Sequence, residues 1–227
     1  RLIAMTPTEQ KETLDDRQNS QGYIRVLFEI VKSVHGDEKL LSWALLYIDG
    51  MVEENRNRVD NIVAIQNSFN PQRKMDCVGV LLNFLISNND SKNHNRNTAA
   101  RVLSMLVEAS GFEHCKDHAI DFINWIYSFD SKRISANAYT FSICYLVKIN
   151  ELAKEFVELN GIQKLIEMLD NQCLSDYQIA YNVLVSLWIL SYHDFALKYF
   201  ENPDLDLIEK SLKILDFFNK EKVVRIT

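Results

Sequence analysis

"AYTFSICYLVKINELAKEFVELNGIQKLIEML" (138–169) and "AYNVLVSLWILSYHDFALKYFENPDLDLIEKSL" (180–212) are two versions of one pattern. Tyr139 aligns with Tyr181, Leu146 with Trp188 and Val147 with Ile189. After a shift of one residue, Leu152 meets Phe195, Phe156 meets Tyr199, Ile162 meets Leu205 and Leu165 meets Ile208. The period is about 42 residues, within the range of stacked helical repeats. Each copy reads as a long helix, a short helix, a turn at Gly161 or Pro203, and a third helix. One such unit cannot bury its own apolar faces, so neighbours must stack. That is why Ile179–Tyr192 can be apolar on nearly every side: it is expected to lie between two repeats. Asn182 and Ser186, four apart, read as a contact between helices rather than a site.

Working outward, helical punctuation recurs. Thr6, Pro7 and Glu9 form a capping box with a first-turn proline. Gly36 ends one helix and Asp37 opens the next. Asn70–Pro71 and Asn202–Pro203 each read as N-cap and first-turn proline, and Ser175 with Gln178 as another capping box. With 6 glycines and 3 prolines, the chain is poor in the turns that sandwiches and α/β nucleotide-binding folds need. No segment shows strand alternation. The pattern predicts helices over 7–18, 21–35, 38–55, 57–68, 72–87, 97–110, 116–129, 135–149, 151–159, 162–170, 176–192, 194–200, 204–218 and from 220 onward. The polar run "NNDSKNHNRN" (Asn88–Asn97) reads as a surface loop. The expected fold is all-α, an armadillo/HEAT-like right-handed α-solenoid (superhelix), with residues 1–227 as a single domain. "NGIQKLIEML" resembles the opening of an armadillo third helix, where glycine permits a sharp turn.

Composition narrows the function. The 227 residues are 47% hydrophobic, enough for a sizeable core. The net charge of −6 supplies no global basic field for nucleic acid or anionic membrane. The longest uncharged stretch, Tyr177–Tyr192, is shorter than the ~20 residues of a membrane helix. Cys77, Cys115, Cys144 and Cys173 lie in or beside apolar runs without CxxC spacing, as buried thiols do in a reducing compartment. No phosphate-binding GxxxxGK[ST], GxGxxG or GxSxG occurs. "EHCKDH" places His114, Cys115 and His118 together, with Asp121 nearby. Two histidines four apart could share zinc, but there is no partner cluster elsewhere, and a solvated helix N-terminus is the plainer reading. No catalytic, cofactor-binding or metal residue is assigned.

Arg56 and Arg58 follow Glu53 and Glu54. They read either as a solvated helix end or as a basic, partner-facing spot. Armadillo proteins that grip extended peptides, such as nuclear import adaptors, set Trp and Asn one turn apart. Here Trp43, Trp125 and Trp188 are followed four residues later by Tyr47, Phe129 and Tyr192, the spacing of aromatic packing pairs. A generic armadillo adaptor for extended peptides is the alternative function, and a metal-dependent enzyme centred on His114, Cys115 and His118 a third.

"NGIQKLIEML", "YQIAYNVLVSLWILSY" and "KEKVVRI" together resemble the H subunit of the vacuolar-type proton-translocating ATPase. The matching motifs are Tyr177–Gln178, Leu187–Leu190 and Lys220–Ile226, with collinear likenesses at "YIDGMVEENRNRV", "AARVLSMLVE" and "FINWIY". The resemblance implies a non-catalytic regulatory and structural component needed for coupled ATP-driven proton transport. It implies a link from the cytosolic catalytic sector and the peripheral stalk (the E and G subunits) to the large a-type subunit of the membrane sector. It implies the cytoplasmic face of vacuolar and other endomembrane compartments, with no cofactor, no nucleic acid and no membrane insertion. The chain would be the family's N-terminal domain, its C-terminal domain lying outside. Within "NKEKVVRIT" (219–227) a helix has just begun. The expectation is that Thr227 is no natural terminus, that the last turn frays, and that Ile214 and Phe217 are partly uncovered.

Overall fold

Apolar residues three and four apart, opened by polar caps, make helices throughout the described residues. The structure, a computed structural model, describes residues 12, 15–34, 36–72, 74–87, 93–128, 133–171, 176–202 and 206–217. Twelve helices stand among them: α1 (Arg17–Ser33), α2 (Glu38–Glu54), α3 (Arg56–Gln66), α4 (Cys77–Ser87), α5 (Asn93–Ser110), α6 (Phe112–Tyr127), α7 (Ala136–Leu146), α8 (Asn150–Glu158), α9 (Gly161–Asn171), α10 (Tyr177–Leu190), α11 (Asp194–Phe200) and α12 (Leu207–Phe217). The described residues form no strand. The class is all-α, as expected. The chain divides into two compact units, Arg1–His118 and Ala119–Thr227, the division falling inside α6.

In the first unit α1 packs on α2, α3 and α4, and α5 packs on α2, α3 and α4. Phe28, Leu45, Ile48, Ile62, Leu81 and Leu103 are fully buried among these helices. Each such side chain contributes about 1.5–3 kcal/mol by leaving water. Gly36 takes a φ of 96°, open to glycine at little cost, and ends α1 as expected. Asp37 caps α2, its carboxylate accepting from the backbone N–H of Lys39 at 3.2 Å and Leu40 at 3.0 Å.

Two boundaries differ from the expectation. Asn70–Pro71 opens no helix; the Asn70 side chain accepts from the Gln72 N–H at 3.0 Å in a tight turn. The helix starts later, at Cys77, because the donors of its first turn find acceptors there. Asp76 accepts from the Gly79 N–H at 2.9 Å and Gln66 from the Val78 N–H at 3.1 Å. The end of the polar run 88–97 is likewise not loop but the start of α5. Asn95 and Arg96 are buried, and Asn95 Nδ2 donates to Glu38 Oε2 at 2.9 Å. Buried partners on a neighbouring helix outweigh a turn-rich composition.

In the second unit α10 packs on α7 and α9, α8 on α9 and α11, and α12 on α9. Positions equivalent in the repeat touch. Asn182 Nδ2 donates to Thr140 Oγ1 at 3.4 Å, and Ser186 hydrogen-bonds Cys144. Asn182 and Ser186 are buried between helices, as the stripe predicted. The α10 cap is Asp176, which accepts from the Gln178 N–H at 2.8 Å; Ser175 lies outside the described residues. A carboxylate one residue nearer the helix is the better acceptor for its dipole.

Gly161 serves a different purpose from the one expected. The left-handed residue of that turn is Asn160, with φ 61°. Gly161 is needed because a Cβ there would run into the Phe156 ring. In the next copy the residue just before the third helix, Asp206, is also left-handed, with φ 47°. The third helix does not repeat its burial: Leu165 is buried, but its counterpart Ile208 is 79% exposed. The face of α12 that is buried carries Ile214, 0% exposed and not partly uncovered as expected. The Phe217 side chain, residues 218–227, Leu205 and the Thr6 cap lie outside the described residues.

Candidate interaction surface

The corner from α2 to α3 carries the two arginines singled out in the sequence. Arg58 does not stand at a solvated helix end. It is 2% exposed, and its Nε donates to Asp15 Oδ1 at 2.7 Å. Asn55 Nδ2 donates to the same oxygen at 3.2 Å. Asn55, extended at φ −155° and ψ 119°, separates α2 from α3, and the buried Arg58 guanidinium requires an anion. Arg56 opens α3; its side chain lies outside the described residues. Nearby, Arg101 pairs with Glu53. Burial raises the Asp49 carboxyl above its ordinary range, with Arg101 opposing and Glu53 reinforcing.

The His114–Cys115–His118 group is sent to separate partners. His114 is exposed. Cys115 is buried and its thiol donates to the Gly111 carbonyl at 3.5 Å. His118 Nε2 lies 2.8 Å from Asp76 Oδ2. Burial pushes Asp76 up, but the Gly79 N–H, His118 and Gln66 together hold it below the usual carboxylate range. Among the described residues no three His, Cys, Asp or Glu side chains converge on a metal position. Burial pushes the Cys77 thiol up to about 12 and the Cys115 thiol up to about 11. Such thiols are weak nucleophiles at neutral pH. Cys173 lies outside the described residues.

The tryptophans pack as i, i+4 spacing implied. Trp43 and Tyr47 rings are 5.4 Å apart, Trp188 and Tyr192 5.6 Å. Trp125 stacks on Phe122 at 6.2 Å, and its expected partner Phe129 lies outside the described residues. Sequence reading missed two features. Lys164 Nζ donates to the Tyr127 carbonyl at 2.6 Å and stands over the Tyr127 and Tyr139 rings; a lysine inside an apolar helix is a weak signal. A polar groove of about 390 Å³ runs between α1 and α4. Its lining comes from segments some 40 residues apart in sequence, a separation no local pattern encodes. A second, apolar groove of about 520 Å³ lies along α11 and α12, lined by Phe200, Leu207, Ile208 and Leu212. No helix among the described residues is long and apolar enough to cross a membrane.

Set beside known proteins, the whole chain, residues 1–227, matches the family model that describes the H subunit of the V-ATPase. No curated protein matches. Among solved structures, the crystal structure of an engineered protein is similar. It is 19% identical over 97% of this chain and 95% of that one, with a TM-score of 0.52, a likeness of fold alone.

Proposed function

The chain belongs to the V-ATPase H-subunit family, and from that premise we propose that it is a non-catalytic regulatory and structural component of the proton pump. It supports coupled ATP-driven proton transport by linking the cytosolic catalytic sector and peripheral stalk to the membrane sector. Its partners are the E and G subunits of the stalk, the catalytic sector and the large a-type subunit of the membrane sector. Its place is the cytoplasmic face of vacuolar and other endomembrane compartments. It corresponds to one N-terminal repeat domain, with the family's C-terminal domain outside it. The observation that carries this reading is the family match over all 227 residues. Stacked helices suit it physically, because they offer long faces for partners without a catalytic pocket.

Arg56 and Arg58 are the proposed partner-contact residues. Arg58 is occupied by Asp15, so its part is to hold the α2–α3 corner in shape, leaving direct contact to Arg56. The test is binding of the purified chain to an immobilised E–G heterodimer, with ATP turnover followed in parallel. The expected result is saturable binding and no turnover. Arg56→Glu weakens binding at unchanged melting temperature, and Arg58→Ala lowers both. A folded chain that ignores the heterodimer overturns the reading.

A further inference from the structure

We propose that the groove between α1 and α4 takes up a single carboxylate side chain presented by an acidic segment of a protein partner. The inference rests on the functional reading only in taking that partner to be a protein. Arg25, Glu29 and Lys32 line one wall at i, i+4 and i+7 of α1, and Lys74 and Asp76 come from the loop before α4. The Arg25 Nη2 is shielded from solvent and has no acceptor among the described residues. Buried donors are almost always paired, so the guanidinium carries a positive charge that no described acceptor offsets at this nitrogen, and an anion in the groove beside it relieves that imbalance. Lys32 and Lys74 make no ion pair with a described residue, in a chain whose net charge is −6. The groove is therefore a local reversal of the protein's charge.

Charge balance selects the ligand. Three cations face two carboxylates, a formal surplus of one. Asp76 is already engaged by the Gly79 N–H, Gln66 and His118, which leaves Glu29 as the one other acid in the lining. A monoanionic carboxylate matches the surplus, and its two oxygens can accept from Lys32, Lys74 and the part of Arg25 that lines the groove. A phosphate, close to dianionic at neutral pH, would overshoot it and meet repulsion from Glu29 and Asp76. Buried Met75 and Gly79, with half-buried Val80, supply an apolar floor for the methylenes of a glutamate. Asn83 on the rim can hydrogen-bond the incoming backbone.

The test uses the whole 227-residue chain labelled with ¹⁵N-arginine. The probes are an acetylated peptide of alternating Glu and Gly, its Gln counterpart, and inorganic phosphate. The expected result is a saturable shift of the Arg25 side-chain resonance with the Glu peptide and none with the Gln peptide. Phosphate should bind at least about tenfold more weakly. Arg25→Gln abolishes binding of the Glu peptide, read by fluorescence anisotropy of the dye-labelled peptide, at unchanged helical circular dichroism. Should that variant not fold, Lys32→Gln with Lys74→Gln, both exposed, lowers peptide affinity at least about threefold. No saturable shift, equal binding of the Gln peptide, or tighter binding of phosphate overturns the proposal. Because the isolated chain is probed, loss of stalk binding leaves the groove standing, and an empty groove leaves the stalk reading standing.

Discussion

Leu146 of α7 and Trp188 of α10 occupy the same position of the repeat, yet Leu146 is 0% exposed and Trp188 50%. The same holds along both copies. Tyr139 is buried where Tyr181 is half-buried, and Phe156 of α8 is buried where Tyr199 of α11 is half-buried. The two helices are alike in length and apolar content; what differs is the neighbour. α10 packs on α7, so α7 has become interior while the equivalent face of α10 remains open. Burial in a stacked array thus belongs to the junction between repeats rather than to the helix that carries the residues.

That contrast can be broken most sharply by truncation. Leu146→Ala is expected to cost about 2–5 kcal/mol, through lost transfer energy and the cavity left behind. Trp188→Ala should cost about 1 kcal/mol or less, since its ring is already half in water. Urea melts of both variants decide it. An equal cost would mean that the α10 face is covered in solution. Next comes the turn into the third helix. Gly161→Ala is expected to cost about 1–3 kcal/mol because the new Cβ overpacks Phe156. Asp206→Gly, at the left-handed residue before α12, should instead gain a few tenths to about 1 kcal/mol. Thermal melts should move in opposite directions; a stabilising Gly161→Ala would show that Phe156 yields freely.

The junction itself can be measured with a double-mutant cycle. Thr140→Val and Asn182→Leu should show a coupling of about 0.5–1.5 kcal/mol, because their side chains meet across α7 and α10. No coupling would mean that the contact is not made in solution. The smallest effect concerns Cys144, the α7 counterpart of Ser186. Burial raises its thiol pKa, against opposing contributions from Lys148 and Ser186. In a Cys173→Ser background, site-resolved labelling at pH 8 should find Cys144, Cys77 and Cys115 reactive only as fast as the chain opens. Labelling of Cys144 at the rate of a free thiol would place the α7 face in water.

Much of the fold was legible because helix signals are local. Asp37 and Gly36 act where the pattern put them, and Asn182 and Ser186 make the contact between helices that their spacing implied, with Thr140 and Cys144. Where expectation and structure part, a distant residue intervened. Gln66, twelve residues away in sequence, helps set the start of α4 through the Val78 N–H. Glu38, on another helix, holds Asn95 at the start of α5. The candidate surface was less legible. Arg56 and Arg58 were chosen for their charge, and nothing in "ENRNRV" tells which of them Asp15 will claim. The α1–α4 groove was invisible because its cations come together only when the two helices pack.

Periodicity and caps were enough for an all-α class, since they depend on residues within a few turns of one another, and the return of one pattern about 42 residues on was enough for a repeat. Motifs carried by those same helices were enough for the family. Which copy of each repeated position is dry, which arginine is buried, and where a guanidinium nitrogen is left without an acceptor were settled by packing. Those outcomes depend on what another helix brings into contact, and such contacts form between residues that no stretch of local sequence holds side by side.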